Sequence, residues 1–475
     1  MKERLFLPWL AGGLLFALFW ASRLTNLTAL PIFVDEGLHL SWAQQMLVTG
    51  NFLQGTAAGK FLYIWLIALV INLANDPLVA ARILSIGTGL ISGIATFYLA
   101  RTLWPDSNSA WLAALIYVFL PLPLICERMA LVDSLLAGLA TLILIFSIKL
   151  IRDASKASSY ALGLCLGLAY LTKLSGFIYW VIPILAFIIL KEQKSTIKPF
   201  IYSYLIAFLV ASPTIFELPK QFLYEAAVRS VFNPIASQVS ASDWRMYSLG
   251  ETWVDLMTYV TWPILLLALT RLGYELLSKA RQAILLAVLL LLTPGVYLLL
   301  AKDVWFSRYL LPIVPIIIVL AARAINDWVL IVGESTRLRS KGVWLSFVCL
   351  LAMLPSLIFD YRLITNPSEA PFTVIDRWQY VTGWPAGYGL AEVVTRLRQE
   401  AGTKGEITVI TGSHPGPTQE GLRLYLDNHM STIKLKSIHH LKFCINRLRR
   451  RLNPLCYCST SRLTTIGMGQ AHLAL

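Results

Sequence analysis

Phe61-Leu-Tyr-Ile-Trp65-Leu-Ile-Ala-Leu-Val70-Ile-Asn-Leu-Ala-Asn75 is almost wholly apolar, yet only fifteen residues long. Whether it crosses a membrane decides which face every later loop occupies. Around it lie eleven apolar runs long enough to cross ~30 Å of hydrocarbon. They fall near 5–24, 78–101, 109–126, 131–150, 160–173, 175–190, 198–218, 252–270, 281–301, 309–330 and 343–360. The 475-residue chain is 57% hydrophobic and 14% charged, against ~25% charged in an ordinary soluble domain. So few charges cannot clothe a soluble surface of this size. A disordered chain and a nucleic-acid binder are excluded for the same reason, and the class is an all-α polytopic membrane protein. Lys2 and Arg4 precede the first run and no small-residue cleavage site follows it, so residues 5–24 read as a span rather than a cleaved signal.

Charge asymmetry decides the reading of 61–75. Four short loops hold three cations each: Lys149/Arg152/Lys156, Lys191/Lys194/Lys198, Arg271/Lys279/Arg281 and Arg337/Arg339/Lys341. Successive clusters are two spans apart and share one side. If 61–75 lies along the interface, all four join Lys2 and Arg4 on the cytoplasmic side, as the positive-inside rule prefers. The expectation is therefore about eleven transmembrane helices in a cell membrane, with interfacial helices in a first outer loop at 25–77. The N-terminus is then cytoplasmic, and everything after 360 is extracytoplasmic.

The organisation expected is a membrane domain over 1–360, a small extracytoplasmic domain over 361–438, and a basic tail over 439–475. Glu406-Ile-Thr-Val-Ile-Thr-Gly412 reads as a short strand with a Gly turn, and Thr418 to His429 as a short helix, together a small α/β appendage. The net charge of +14 is unevenly placed, because no acid follows Asp427 while eight cations do. Residues 439–475 lack periodicity and charge balance and read as disordered or aberrant. Cys126, Cys165 and Cys349 sit in apolar runs as packing residues. Cys444, Cys456 and Cys458 crowd the tail without the second ligand pair of a zinc site.

Polar residues gather at the outer ends of the spans. Asp35-Glu36 follows the first span and opens a stretch of helical character; the pair reads as an N-cap with an acidic first turn, or as a catalytic base at the membrane surface. Lys60, before Tyr63 and Trp65, is a snorkelling anchor or a cation placed to meet a lipid phosphate. Glu127 and Arg128 close one span and Asp133 opens the next. An ionisable group inside an apolar run is costly and points to function, whereas an Asp133–Arg128 pair is the plainer reading. Lys173 lies in a very short turn, and Arg308-Tyr309 begins a Pro-rich span. Acids and cations converging on one face suit a substrate with a phosphate and an acceptor hydroxyl. No phosphate-binding P-loop, dinucleotide fingerprint or H-E-x-x-H motif is present, so soluble nucleotide chemistry is unsupported.

These residues, over roughly 30–315, resemble the polyprenol-phosphate-dependent glycosyltransferases of the GT-C fold. They are similar in particular to the dolichyl-phosphate-mannose protein mannosyltransferases and the bacterial lipid A aminoarabinose transferases. The carriers are Asp35-Glu36-Gly, Gly59-Lys60 with Trp65, Arg128 with Asp133, Leu171-Thr-Lys173 and Arg308-Tyr309-Leu-Leu-Pro312. Two departures stand out: Phe61-Leu62 replaces a Pro pair, and Ser134 replaces a Pro. The resemblance implies Asp35 as the catalytic acid of the first outer loop, Lys60 as a contact to the lipid phosphate, and Asp133 near the same site. It implies an inverting transfer from a polyprenyl-phosphate sugar to an extracytoplasmic protein, glycolipid or glycan. Lys60, Lys173, Arg308 and then Arg128 would stabilise the leaving phosphate, while Glu36, Glu127, Asp133 and Tyr309 would line the substrate site. A divalent ion between Asp35 and Asp133 could be held but is not required. The competing class is a transporter or lipid flippase, which would place its ionisable residues near the midplane, often in two related halves.

Overall fold

In the computed structural model the described residues are 2–53, 59–105, 107–191, 196–217, 249–300, 305–335, 341–411, 417–426 and 432–437. The fold is an all-α polytopic bundle with a two-stranded sheet at its C-terminal end. Among the described residues, seven helices are long and apolar enough to cross a membrane: Pro77–Leu103, Asp133–Asp153, Lys198–Ile215, Leu249–Leu277, Arg281–Leu299, Ser307–Leu330 and Ser346–Thr365. An eighth is a broken pair, Ser109–Phe119 and Pro121–Glu127, bent by 57°. The break falls at Leu120, which is extended, before Pro121, whose ring fixes φ and removes a donor. The first helix, Lys2–Leu24, has 23 residues, while Lys156–Thr172 has 17 and the apolar stretch Leu174–Leu190 is of similar length. Each of the eleven apolar runs thus has its helical element, and two of them sit at the lower limit of spanning length.

Residues 61–75 resolve into a helix over Phe61–Val70 alone. Ten residues at ~1.5 Å each reach about 15 Å, half the hydrocarbon thickness. The helix lies beside Val34–Thr49, and both bury a face in a cluster that holds Leu40, Ala43, Met46, Tyr63, Ile64 and Ile67. Gly50 ends Val34–Thr49 at φ +67, the left-handed cap that a Cβ would strain.

The bundle is closed by small residues where backbones approach. Ser159, Gly163 and Gly167 recur every fourth position on Lys156–Thr172, facing Lys198–Ile215. A Cβ on Gly163 would come within 2.5 Å of the Ser203 carbonyl oxygen, and Ser159 Oγ donates to Pro199 O at 2.6 Å. This small-xxx-small spacing lets two helices pack by van der Waals contact and side-chain hydrogen bonds, which hydrocarbon cannot drive by exclusion of water.

The α/β appendage consists of Leu390–Lys404, β1 (Ile407–Thr411), a short helix Leu422–Leu426 and β2 (Ile433–Ser437). The strands are parallel, with Ile407 opposite Ile433. Leu390, Val394, Leu397, Leu422 and Leu426 share a core with Leu40, Met46, Tyr63 and Ile67, so the appendage sits on the helices at Val34–Thr49 and Phe61–Val70. The strand and helix expected at 406–412 and 418–429 appear within the described parts, 407–411 and 417–426. The second strand carried no clear signal. The segment 219–248, between two of the apolar runs, and the tail 439–475 lie outside the described residues.

Candidate active site

The loop after the first helix turns into a second helix at Val34, where Phe33 is extended and Val34 N donates to Pro385 O at 3.0 Å. Asp35 and Glu36 fall in that first turn. Consecutive helical residues point about 100° apart, so the two carboxylates face different surroundings.

Glu36 faces inward. Arg82 Nε donates to its Oε1 at 2.8 Å and Arg82 Nη2 to its Oε2 at 2.7 Å. Ala130 N and Phe33 N donate at 2.7 and 2.9 Å. Both side chains of this pair are fully buried. Arg82 also donates to the carbonyls of Leu27, Leu30 and Pro31. The guanidinium therefore ties the loop after the first span to the helix Pro77–Leu103.

Asp35 faces the site. Arg308 Nη2 donates to its Oδ2 at 3.0 Å, and its side chain keeps 23% of its surface open. Burial would raise this carboxyl, but the charges of Arg308, Lys60, His39 and Lys173 outweigh it and hold the group at about 2. Arg308 lies in the first turn of Ser307–Ile313, stacked over Phe306 with its guanidinium 4.5 Å from the ring centre.

A second pair stands close by. Lys173 Nζ donates to Asp133 Oδ1 at 3.0 Å and lies 4.9 Å above the Tyr309 ring, which stacks on Tyr297 at 4.7 Å. The Lys173 turn is tight because Gly176 folds back on the Ala169 carbonyl, where a Cβ would meet the oxygen at 1.9 Å. The plainer pairing, Asp133 with Arg128, is not formed; Lys173 takes the acid instead.

Lys60 completes the group. Its Nζ lies 2.9 Å from His39 Nε2, and no carboxylate pairs with it among the described residues. Lys60, Lys173 and Arg308 act electrostatically on both Asp35 and Asp133. Three cations face two acids, leaving one positive charge without a counter-ion. Such a site favours an anionic ligand. Burial, then Lys173 and Arg308, lowers the Lys60 ammonium against the opposing pull of Asp35 and Asp133.

The structure therefore brings together Asp35, Lys60, Asp133, Lys173, Arg308 and Tyr309. It places Glu36, Glu127 and Arg128 elsewhere. Glu127 is fully buried, taking Arg23 Nε at 2.8 Å and the Tyr117 hydroxyl at 2.6 Å. Arg128 donates to the carbonyls of Ser22, Arg23, Thr25 and Asn26 at 2.8–3.0 Å, capping the last turn of the first helix. Among the described residues no three His, Cys, Asp or Glu side chains assemble as a metal site. Asp35 and Asp133 each already face a cation, which a bridging ion would have to displace.

Several contributors escaped the sequence reading. Arg82 was visible as a lone Arg inside the apolar run 78–101, a position that by itself points to a buried partner. His39 lies one helical turn after Asp35, on the same face. Asp376 and Gln379 come from the stretch after the last long helix and had no signal. Asp376 accepts from Ser307 Oγ at 2.5 Å and from Gln379 Nε2 at 2.9 Å, and Gln379 Oε1 accepts from Arg308 at 3.4 Å. Burial pushes the Asp376 carboxyl up, against the pull of its hydrogen bonds and of Arg308. The stretch roofs the site, with Tyr380 edge-on to Phe33 at 5.1 Å.

The family described as dolichyl-phosphate-mannose-protein mannosyltransferase matches residues 60–216, about a third of the chain. No curated protein sequence matches. Among solved structures, ArnT from Cupriavidus metallidurans in the apo state is similar, with TM-score 0.55 and 14% identity, over 92% of this chain and 86% of that one. ArnT bound to undecaprenyl phosphate gives TM-score 0.54 and 15% identity over 94% and 88%. The archaeal oligosaccharyltransferase AglB from Archaeoglobus fulgidus was solved with an inhibitory peptide and a dolichol-phosphate. It gives TM-score 0.58 and 12% identity over 86% of this chain and 63% of that one. At such identities the likeness is one of fold. The fold class is that of the polytopic GT-C glycosyltransferases, as the sequence motifs implied.

Proposed function

We propose that the chain is a membrane glycosyltransferase that moves a sugar from a polyprenyl-phosphate donor to an extracytoplasmic acceptor, with inversion. One observation carries the reading: a half-open acid, Asp35, stands among three cations that outnumber the site's acids by one. A general base beside an anion-binding set is what transfer from a phosphate-linked sugar needs. The family match over 60–216 supports it, and so do neighbours of the same fold solved with undecaprenyl phosphate and dolichol-phosphate.

In this reading Asp35 takes the proton of an acceptor hydroxyl or amine. The acceptor attacks the anomeric carbon from the face opposite the phosphate. The bond from that carbon to the phosphate oxygen breaks, and its electron pair leaves on polyprenyl phosphate. Lys60, Lys173 and Arg308 stabilise the charge that develops on the leaving oxygen. Arg308 exchanges Asp35 for phosphate, and losing that partner raises the basicity of Asp35 just when the donor is bound. Asp133 and Tyr309 hold Lys173 in line. Glu36, Glu127 and Arg128 hold the loops that carry these groups.

The site faces the extracytoplasmic side if the cation-rich loops lie in the cytoplasm. A cysteine at Ser195 should then resist a membrane-impermeant thiol reagent in intact cells and one at Ser237 should react; the reverse pattern inverts the orientation. The activity test incubates the purified protein with radiolabelled polyprenyl-phosphate sugars, both hexose and pentose, and membrane, glycan and protein acceptors. Transfer of one label with consumption of the lipid-linked donor supports the reading. Movement of an intact labelled lipid across proteoliposomes without transfer would replace it with a flippase.

A further inference from the structure

Lys60 differs from the other two cations of the site. Lys173 and Arg308 each hold a carboxylate, whereas Lys60 holds an imidazole. His39 is 1% exposed, its ring set edge-on against Tyr63 at 5.5 Å and tilted to Trp42 at 6.0 Å. Its Nδ1 lies 2.9 Å from the Ala130 carbonyl oxygen. A carbonyl can only accept, so Nδ1 carries the proton and Nε2 is left as the acceptor for Lys60. Ala130 also donates its own N–H to Glu36. One residue therefore joins the buried Arg82–Glu36 scaffold, through its N–H, to the histidine that holds the lysine, through its carbonyl.

We propose that His39 is a positioning residue that fixes the direction of the Lys60 ammonium, so that its remaining N–H groups face the phosphate of the donor. The proposal rests on the phosphate-linked donor of the preceding section. The choice of a neutral acceptor has a physical reason. A carboxylate at this place would orient Lys60 equally well, but it would cancel the unbalanced positive charge and repel the phosphate. An imidazole orients without neutralising. Burial, and then the charge of Lys60, hold its pKa at about 3, so it remains an acceptor through the neutral range. The charged groups that act on Lys60 are Asp35 and Asp133, which favour its ammonium form, and Lys173 and Arg308, which oppose it.

The test uses the full chain in nanodiscs with undecaprenyl phosphate as probe, comparing His39→Leu, His39→Gln, Lys60→Ala and the double variant His39→Leu/Lys60→Ala. Thermal unfolding of each establishes that it is folded. Glutamine keeps a donor for Ala130 and an acceptor for Lys60. We expect His39→Leu to weaken binding about tenfold or more, the usual worth of a hydrogen bond to a charged group. His39→Gln should stay within about threefold of the parent. In the Lys60→Ala background, His39→Leu should cost nothing further, because its effect runs through the lysine. Additive losses in the double variant, or a folded His39→Gln as weak as His39→Leu, would overturn the proposal. A second readout needs no lipid. The pH midpoint of Lys60 acylation, followed by mass spectrometry, should fall in His39→Leu and hold in His39→Gln. An unmoved midpoint in His39→Leu would overturn the positioning role even if no lipid phosphate binds. If the parent binds none while the midpoint falls as expected, the positioning of Lys60 stands and the phosphate-linked donor is what fails.

Discussion

Asp35 and Glu36 are neighbours in sequence, identical in charge, and opposite in circumstance. Glu36 is wholly enclosed and has four donors on its two oxygens. Asp35 has one guanidinium partner and an open edge. The pairs Glu127–Arg23 and Asp133–Lys173 show a weaker form of the contrast a few residues apart, the first fully buried and the second with its lysine partly open. A carboxylate whose lone pairs are all taken can only hold structure. One with a free edge can accept a proton or give up its cation to a ligand. The separation is made by helix geometry, since a step of one residue turns a side chain from the scaffold to the site.

Four substitutions or titrations can break this comparison. Asp35→Asn should cut transfer by ~10²–10⁴-fold, the usual worth of a general base, while leaving the unfolding temperature near that of the parent. A near-normal rate would reduce Asp35 to a helix cap, for which Asn serves equally well. Glu36→Gln should do the opposite. It leaves Arg82 buried without a counter-charge, a loss of about 3–5 kcal/mol that should appear as low yield and early melting in detergent. A stable Glu36→Gln protein with a selective rate defect would move Glu36 into the site. Lys60→Ala should weaken binding of a lipid phosphate by roughly 10–100-fold and turnover with it, because a charge-assisted contact serves ground and transition states alike. Unchanged binding would remove the lysine from the donor site.

The smallest expected effect is in pH dependence. The Asp35 pKa is depressed to about 2, below its unfolded value, so its charge is present above that unfolded value and is lost only as pH falls through 2. No acid limb from Asp35 should appear in donor binding above about pH 4. The Lys60 ammonium is shifted down, so its charge is lost earlier as pH rises than for an ordinary lysine. The alkaline limb of binding should therefore begin below the usual lysine range and retreat upward in Lys60→Arg. Titration of lipid-phosphate affinity across pH 5–11 reads both limbs.

Much of the site was legible because hydrocarbon makes charge conspicuous. Asp35, Lys60, Asp133, Lys173 and Arg308 each stand at the end of an apolar run, and all five converge. The same criterion drew in Glu36, Glu127 and Arg128, since a lone charge does not reveal which way it points. Their partners Arg82 and Arg23 decide that, and such pairs are separated by 46 and 104 positions. The ten-residue helix Phe61–Val70 is too short to span, which agrees with the reading of 61–75 drawn from loop charge, a property of the whole chain. The roof over Arg308 was not, because residues 366–389 alternate between short helical turns and bends with no sustained period. Asp376 and Gln379 are placed by packing alone.

The extra positive charge at Lys60 bears on the rhythm of catalysis. In the proposed reaction the donor enters with one negative charge on its phosphodiester, whereas polyprenyl phosphate departs with close to two. A pocket with surplus positive charge grips the second more firmly than the first. The same electrostatics that speed bond cleavage then delay departure, so spent lipid carrier should compete with fresh donor. The pace of the cycle would be set by how fast the carrier diffuses back into the bilayer.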